Sequence, residues 1–456
     1  MRPKVESALD TIAALATPVG KSALALVRIS GSESGRILRA VTVGLPEQVE
    51  ARHPYLVSFV DARGDVLDRG LATFFAGPAS STGEDAAELS IHGSPIVARE
   101  LLTALTAAGA RAARPGEFTE RAFLLGKMDL VEAEAVRDLI EARTEAAARL
   151  SARRLEGAVS RRLASIRDDL VAAAAALGST IDFAEDVGES LPPQVVARLV
   201  SAEESLARLC ASYRTGGLVA AGCRVAILGK PNAGKSTLFN ALLGSARAIV
   251  TDVPGTTRDT LHATVDVRGV PVELVDTAGL RETEDTVEKI GVERAREAGL
   301  GSDAVLYVFD AGAGWSGEDA AAVASLDGRP VAVIANKTDT LSKPLSGSGA
   351  PAGAHPLSGV APCAGEALGQ ILADTVARDV STDSSSETLS SLRQRDLVER
   401  SRAATADALA SLRRRDSPEY AATHLDAALD ALADIAGETT SEDVLRAIFS
   451  TFCIGK

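Results

Sequence analysis

Strand-length apolar runs open the chain. Ala23–Ile29 is one, and Tyr55–Val60, Leu71–Phe75 and Ala87–His92 read as further strands. Pro95–Ala108 changes the period, placing Ile96, Leu101, Leu102 and Leu105 on one side of a helix. Residues 1–118 therefore predict a mixed α+β domain. From 119 to 215 strand signals vanish. Leu155, Val159, Leu163, Ile166 and Leu170 recur at helical spacing, and Ser190 followed by Pro192 and Pro193 marks a fresh helix start. From Cys223 the pattern is β-α-β. Cys223–Gly229, Val270–Asp276, Ala304–Asp310 and Val331–Asn336 are short apolar strands separated by helical stretches, which predicts a parallel sheet over 216–380. Leu341–Gly365 reads as a long loop and Ser381–Glu387 as a polar linker. After Leu389 the helical period returns, with Leu425, Leu429, Leu432 and Ile435 as a stripe. A parallel α/β unit thus interrupts helical segments. Because inserted domains leave their host continuous in space, 119–215 and 381–456 are expected to form one discontinuous helical domain, with residues 389–456 packing on 119–215.

Composition narrows the class. The chain has 456 residues and is 46% hydrophobic, enough for two or three cores. Its formal net charge of −14 argues against bulk electrostatic coating of nucleic acid; an RNA contact needs a local basic patch or a partner. Arg149, Arg153, Arg154, Arg161 and Arg162, and Arg413–Arg415, are basic stretches that read first as solvated helix faces. Cys210, Cys223, Cys363 and Cys453 have no metal or redox spacing, as expected of reduced cytosolic thiols. No apolar run approaches the roughly 20 residues needed to span a bilayer. Ile12–Ala16 is too short for a signal peptide and follows Glu6 and Asp10. A cytoplasmic protein with no membrane contact is expected.

The chemistry lies at strand ends. Gly229-Lys230-Pro231-Asn232-Ala233-Gly234-Lys235-Ser236 follows a strand and precedes the helical run Thr237–Leu243, the context of a phosphate-binding loop. Its glycines let backbone N–H groups converge on phosphate oxygens, and the helix adds its positive end. Lys235 is expected to reach the β and γ phosphates, and Ser236 to give a hydroxyl to Mg²⁺. Asp276-Thr277-Ala278-Gly279 ends a second strand, where a carboxylate holds the Mg²⁺ water shell and Gly279 offers an N–H to the γ phosphate. Asn336-Lys337-Thr338-Asp339 ends a third. The Asp339 carboxylate accepts from guanine N1–H and N2–H₂, a pair adenine lacks, so GTP is specified over ATP. Three such elements in this order make ordinary strand-end turns a poor alternative. Thr251-Asp252-Val253-Pro254-Gly255-Thr256-Thr257 stands where a first switch segment belongs, with Thr257 as second Mg²⁺ hydroxyl.

Leu280 follows Gly279 where many GTPases carry a water-orienting Gln. Neither that side chain nor an arginine finger is identifiable. Asn232 and the carbonyls of Thr251–Thr256 offer hard oxygens that can hold a monovalent cation near the phosphates. Glu288 can orient water through a bridging water; on the residues alone it reads first as a surface glutamate.

The GTPase core inserted in a helical domain, the segment Arg114-Pro115-Gly116-Glu117-Phe118-Thr119-Glu120-Arg121-Ala122-Phe123 and the closing Phe452-Cys453-Ile454-Gly455-Lys456 together resemble the bacterial tRNA-modification GTPase family MnmE, also called TrmE. The resemblance covers essentially the whole chain. It implies a multidomain α/β plus α protein: an N-terminal folate-binding and dimerising α+β domain, the discontinuous helical domain, and an inserted Ras-like P-loop GTPase domain. It implies a homodimer working with the FAD enzyme MnmG to install a carboxymethylaminomethyl or aminomethyl group on carbon 5 of the tRNA wobble uridine. It also implies G-domain dimerisation and K⁺-promoted hydrolysis. The family's K⁺ site matches Asn232, Thr251, Val253 and Thr256, and its water-orienting glutamate matches Glu288. Its contacts to 5-formyl-tetrahydrofolate or a related folate match Arg28, Glu88, Lys127 and Lys456. Cys453 is the family's C-terminal cysteine, a candidate for modification chemistry beside the plainer reading of a small helix-end thiol. The family's guanine-loop Ser-Ala pair is Ser358-Gly359 here, and Val19–Ala23 is less glycine-rich than the family pattern. Among the residues themselves, Arg28 shares strand parity with Leu24 and Leu26, so its charge ends an apolar face, and a structural Arg28–Glu88 ion pair is an equal alternative to folate contact. Two other functions compete: a ribosome-assembly GTPase without modification chemistry, and a folate-dependent one-carbon enzyme regulated by its GTPase part. The closing Cys-Ile-Gly-Lys is unexplained by the first.

Overall fold

The computed structural model describes residues 10–182, 193–245, 248–249, 262–276, 301–326, 328–341, 349–378, 380 and 387–456. The chain divides into two compact units. One comprises Met1–Arg137, Leu155–Glu204 and Leu397–Lys456; the other comprises Asp138–Arg154 and Ser205–Asp396.

The first unit holds a sheet of order β3-β4-β5-β6-β2-β1-β7. Its strands are β1 (Ile12–Leu15), β2 (Ser22–Ser30), β3 (Thr42–Val43), β4 (Pro54–Val60), β5 (Val66–Phe75), β6 (Ala86–Gly93) and β7 (Arg111–Ala112). Ala25, Val27 and Ile29 of β2 and Ala87, Leu89 and Ile91 of β6 are buried, and helices Ser34–Ala40 and Pro95–Ala107 cover that face with Ile37, Leu38, Leu101 and Leu105. Ser94 caps the second helix, its Oγ accepting from Val97 N–H, and Pro95 stands at its first position. The Ile12–Ala16 stretch is mostly strand β1, paired to β2 and β7. The face that Arg28 ends is apolar but open: Leu24 is 62% exposed and Leu56 58% exposed. The core takes the other parity of the strand. Helix Ala158–Asp182 packs on helix Pro418–Ala436 in this same unit.

In the second unit the order is β14-β13-β12-β8-β11-β10-β9. Strands β8 (Cys223–Leu228), β11 (Val270–Asp276), β12 (Ala304–Asp310), β13 (Val331–Asn336) and β14 (His355–Pro356) run parallel. Strands β9 (Ala248–Ile249) and β10 (His262–Val267) add an antiparallel edge that the parallel expectation did not include. β10 buries Val265 and Val267 while Thr264 and Asp266 alternate with them, the half-buried edge pattern of a mixed sheet. β14 and the start of helix Ala364–Val376 lie within the stretch expected to be loop. The helical segments 119–215 and 389–456 are each shared between the two units. Within the first of these segments, Ala147 and Leu150 join the sheet's apolar cluster with Val225, Val267 and Val270. Among the described residues no helix is long and apolar enough to cross a membrane.

Candidate functional site

The phosphate loop bridges β8 and helix Lys235–Ser245. Its path needs glycine at defined points. Gly229 has φ +143° and a Cβ there would lie 2.0 Å from Val308 O; Gly234 has φ +93° and a Cβ there would lie 2.2 Å from Asn336 Nδ2. Asn232 takes φ 60°, the left-handed region asparagine tolerates. Ala233 is buried under the loop, while Asn232, Ser236 and Thr237 are exposed. Lys235 Nζ donates to Gly229 O at 2.8 Å and Lys230 O at 2.9 Å, which holds the ammonium across the loop mouth.

Asn336 ends β13 and is 1% exposed. Its Nδ2 donates to Ala233 O at 2.8 Å, and its Oδ1 accepts from Gly359 N–H at 3.0 Å. One buried amide therefore ties the phosphate loop to the loop after β14. Lys337, at φ 62°, sends Nζ to Asp310 Oδ2 at 2.8 Å. That hydrogen bond holds the Asp310 carboxyl below the usual carboxylate range. Asp339 is exposed in the turn Thr338–Thr340, and one of its oxygens accepts from Ser358 Oγ at 2.6 Å. Asp276 closes β11, its backbone paired with Ile227. Thr251, Asp252, Val253, Pro254, Gly255, Thr256, Thr257, Thr277, Ala278, Gly279, Leu280 and Glu288 lie outside the described residues.

Two partners of the loop were not singled out in the sequence. Asp310 ends the apolar strand β12, and the parallel pairing of β12 with β13 brings it to Lys337. Lys230 Nζ reaches Ser316 Oγ at 2.7 Å and the carboxylates of Glu318 and Asp319 at 3.0 and 3.4 Å. Asp319 in turn accepts from Tyr307 OH at 2.9 Å and closes a capping box with Ser316.

The first unit carries a second site. A cavity of about 70 Å³ is lined by Arg28, Ile29, Phe75, Ser81, Ala86, Ala87, Glu88 and Phe118. Arg28 and Glu88 are cross-strand partners, with Nε donating to Oε1 at 2.8 Å. The ion pair is formed, and both members also line the cavity. Lys127 Nζ donates to Pro78 O at 3.0 Å, beside the turn that carries Ser81. Phe118 N–H donates to Lys456 O at 3.1 Å, and Gly116 N–H to Cys453 O at 3.4 Å. Phe123, Phe449 and Phe452 pack in one cluster. The segments Arg114–Phe123 and Phe452–Lys456, far apart in sequence, are thus neighbours, and of the two only Phe118 lines the cavity; Lys127 and Lys456 are not in its lining. Cys453 itself is exposed.

One residue before Phe118, Glu117 accepts from Arg111 Nη2 at 2.6 Å, Arg114 N–H at 2.7 Å and Arg121 Nη2 at 3.2 Å. Burial pushes the Glu117 carboxyl up, but the Arg111 hydrogen bond, the Arg114 N–H and the two guanidinium charges outweigh it and hold the pKa at about 2. Arg121, itself buried, also bonds Asp10 and Glu84.

A phosphate loop after β8 and an Asn-Lys-x-Asp element after β13, joined by a buried amide on a largely parallel sheet, define a phosphate-loop protein of the GTPase class. Family profiles described as the MnmE helical domain and the GTP-binding protein TrmE N-terminus match residues 130–453 and 11–127. Relatives named tRNA modification GTPase MnmE from Roseiflexus sp. (strain RS-1) and Aquifex aeolicus (strain VF5) are 41% identical over 464 residues and 38% identical over 455 residues. Each alignment covers 98% of this chain, and 99% and 100% of those proteins. The chain belongs to the MnmE family of tRNA modification GTPases. A solved structure of Aquifex aeolicus Era bound to GDP·AlF4⁻ overlaps 40% of this chain and 66% of its own, at 25% identity and a TM-score of 0.27.

Proposed function

We propose that this protein hydrolyses GTP to time a tRNA modification at carbon 5 of the wobble uridine, acting with an FAD-containing MnmG-type partner that together with it installs a carboxymethylaminomethyl or aminomethyl group. The observation that carries the nucleotide half is Asn336, whose buried amide fixes the phosphate loop and the base-reading loop in one frame. The family assignment supports the tRNA half.

In this reading the loop Asn232–Ser236 and Thr237 bind the phosphates, and Lys235 carries the charge that neutralises them. Ser236 and Thr257 are the Mg²⁺ hydroxyls. The metal supplies charge stabilisation to the transferred phosphoryl group. Asn232, with Thr251, Val253 and Thr256, holds K⁺, and Glu288 orients the attacking water. Asp339, oriented by Ser358, reads guanine. Arg28, Glu88, Lys127 and Lys456 hold a folate such as 5-formyl-tetrahydrofolate. The cavity lining and the seating of Lys456 on Phe118 support this, since they bring residues from both ends of the chain to one place. Cys453, exposed beside it, is the residue available for modification chemistry. The open apolar face carrying Leu24, Leu56 and Leu71 supports a homodimer through the N-terminal domain, with G domains meeting across their nucleotide faces. The domains run 1–118, 119–215, 216–380 and 381–456, and the protein acts in the cytoplasm.

Mass spectrometry of wobble uridines tests this. Cells lacking the protein are expected to carry uridine unmodified at carbon 5, restored by the wild-type chain. Intact modification in those cells would overturn the reading.

A further inference from the structure

Helix Glu145–Leu155 lies far from every nucleotide motif in sequence, yet all of it up to Arg154 belongs to the same compact unit as the GTPase sheet. Its Ala147 and Leu150 are buried with Val267 and Val270, the last and first residues of β10 and β11. Between those strands the turn Arg268-Gly269 has φ 52° and 85°, the two-residue hairpin form with both central residues left-handed. The open end of this hairpin leads in sequence to Thr251–Thr257 on one strand and to Thr277–Gly279 on the other. Its closed end meets the helix.

That meeting is specific. Thr144 Oγ1 donates to Gly269 O at 2.8 Å and accepts from Ala147 N–H at 3.1 Å, while Thr144 O accepts from Ala148 N–H at 3.0 Å. One hydroxyl therefore caps the helix and grips the turn. A Cβ on Gly269 would stand 2.7 Å from Ala146 Cβ, so the two backbones are in close approach. At the other end of the helix Arg154 is 0% exposed. Its Nη1 donates to Asp138 Oδ2 at 2.7 Å, and that oxygen also accepts from Ser390 Oγ at 2.9 Å. Its Nη2 donates to Gln394 Oε1 at 3.4 Å, and its Nε has no hydrogen-bond partner. A buried guanidinium with an unmet donor is a poor device for stability alone. It does fix where the helix ends relative to Asp138 and the start of helix Leu392–Arg414.

We propose that helix Glu145–Leu155 is the output element of the nucleotide site. Movement of the β10–β11 hairpin with nucleotide state passes through Thr144 to the helix, and through Arg154 to Asp138 and Ser390–Gln394. Thr144 is a positioning residue in this scheme and touches no nucleotide. The proposal rests on the nucleotide-site reading above. Coupling of this kind is reciprocal, so weakening the grip must also change how the site ranks its nucleotides.

The experiment uses the full chain with GDP and with a non-hydrolysable GTP analogue, read by amide hydrogen exchange and by nucleotide titration. In the wild type, amides of both 262–276 and 145–155 are expected to change protection between the two nucleotides. Thr144→Val keeps the hairpin response, loses that of 145–155, and shifts the ratio of the two Kd values by about five-fold or more. Thr144→Ser, which retains the hydroxyl, restores both. A wild-type hairpin that responds while 145–155 does not overturns the proposal without any variant. A full response surviving in Thr144→Val also overturns it. A wild-type chain that binds neither nucleotide removes the nucleotide reading itself and the proposal with it.

Discussion

Asn336 and Asp339 divide one task by burial. Asn336 is closed off and spends both ends of its amide on the protein, joining Ala233 to Gly359. Asp339 stays exposed, with one oxygen held by Ser358 and the rest of its accepting capacity directed outward. Under the proposed function base reading falls to the carboxylate, and its sign would decide the specificity. Asp339→Asn replaces an acceptor by a donor. We expect GTP affinity to drop by about 10²-fold or more, because guanine N1–H and N2–H₂ lose a charged acceptor, while xanthosine triphosphate, with a carbonyl at that position, binds better than GTP. Titration of both nucleotides checks this, and an unchanged preference would move base reading elsewhere. These residues were legible in the sequence because spacing alone marks the motif. Asp310 was not, since its pairing with Lys337 depends on two strands being neighbours.

Elements were legible where their period was long. Helix Pro95–Ala107 ends one residue from its expected bound, and β2 extends its expected run by one residue at each end. β10 was missed because its alternation spans only His262–Val267 and an inserted unit of β-α-β pattern argues for parallel strands. The helix Glu117–Leu124 shows what pattern cannot give. Its sequence Glu-Phe-Thr-Glu-Arg reads as an ordinary charged helix start, but Glu117 is buried among Arg111, Arg114 and Arg121. Its folded pKa of about 2 lies below the ordinary 4.5. A depressed carboxyl contributes stability that is complete above the unfolded pKa and is lost as pH falls through the folded one. The first unit should therefore lose stability between pH 4.5 and about 2 through this group. Glu117→Gln removes the buried carboxylate at every pH, leaving Arg111 and Arg121 with Asp10 and Glu84 as their remaining acid partners. Melting at pH 7 should show a loss of about 1–3 kcal/mol, the scale of a lost hydrogen bond to a charged group, and a flatter dependence of melting temperature on acid pH. Equal acid slopes in both chains would assign the acid lability to Asp10 or to other carboxylates.

At the scale of the whole molecule, the nucleotide motifs lie in one compact unit and the Arg28–Glu88 cavity in the other, and the proposed timing role requires hydrolysis to be conditional. The sequence already points to the condition. Leu280 cannot orient water, and no arginine finger is identifiable in the chain. On the phosphate side, Asn232 is exposed at φ 60° on the loop, and the proposed reading assigns its side-chain oxygen to a cation. In the proposed reading an ion there would supply the positive charge that an arginine finger supplies elsewhere, and such a finger is worth roughly 10³–10⁵ in rate. If the segment Thr251–Thr256 completes the site, the ion also orders the residue ligands around the γ phosphate, so that occupancy and catalysis rise together. We therefore expect GTP turnover to increase by about ten-fold or more when K⁺ replaces Na⁺ at constant ionic strength, a modest share of what a finger provides. Glu288→Ala should abolish turnover in K⁺ while nucleotide affinity stays within about two-fold of wild type, because the proposed role of the residue is on water and not on the bound nucleotide. Steady-state hydrolysis and titration in both salts separate the two effects. Equal rates in Na⁺ and K⁺ would leave Leu280 uncompensated by a cation, and hydrolysis retained in Glu288→Ala would return that residue to the solvated surface.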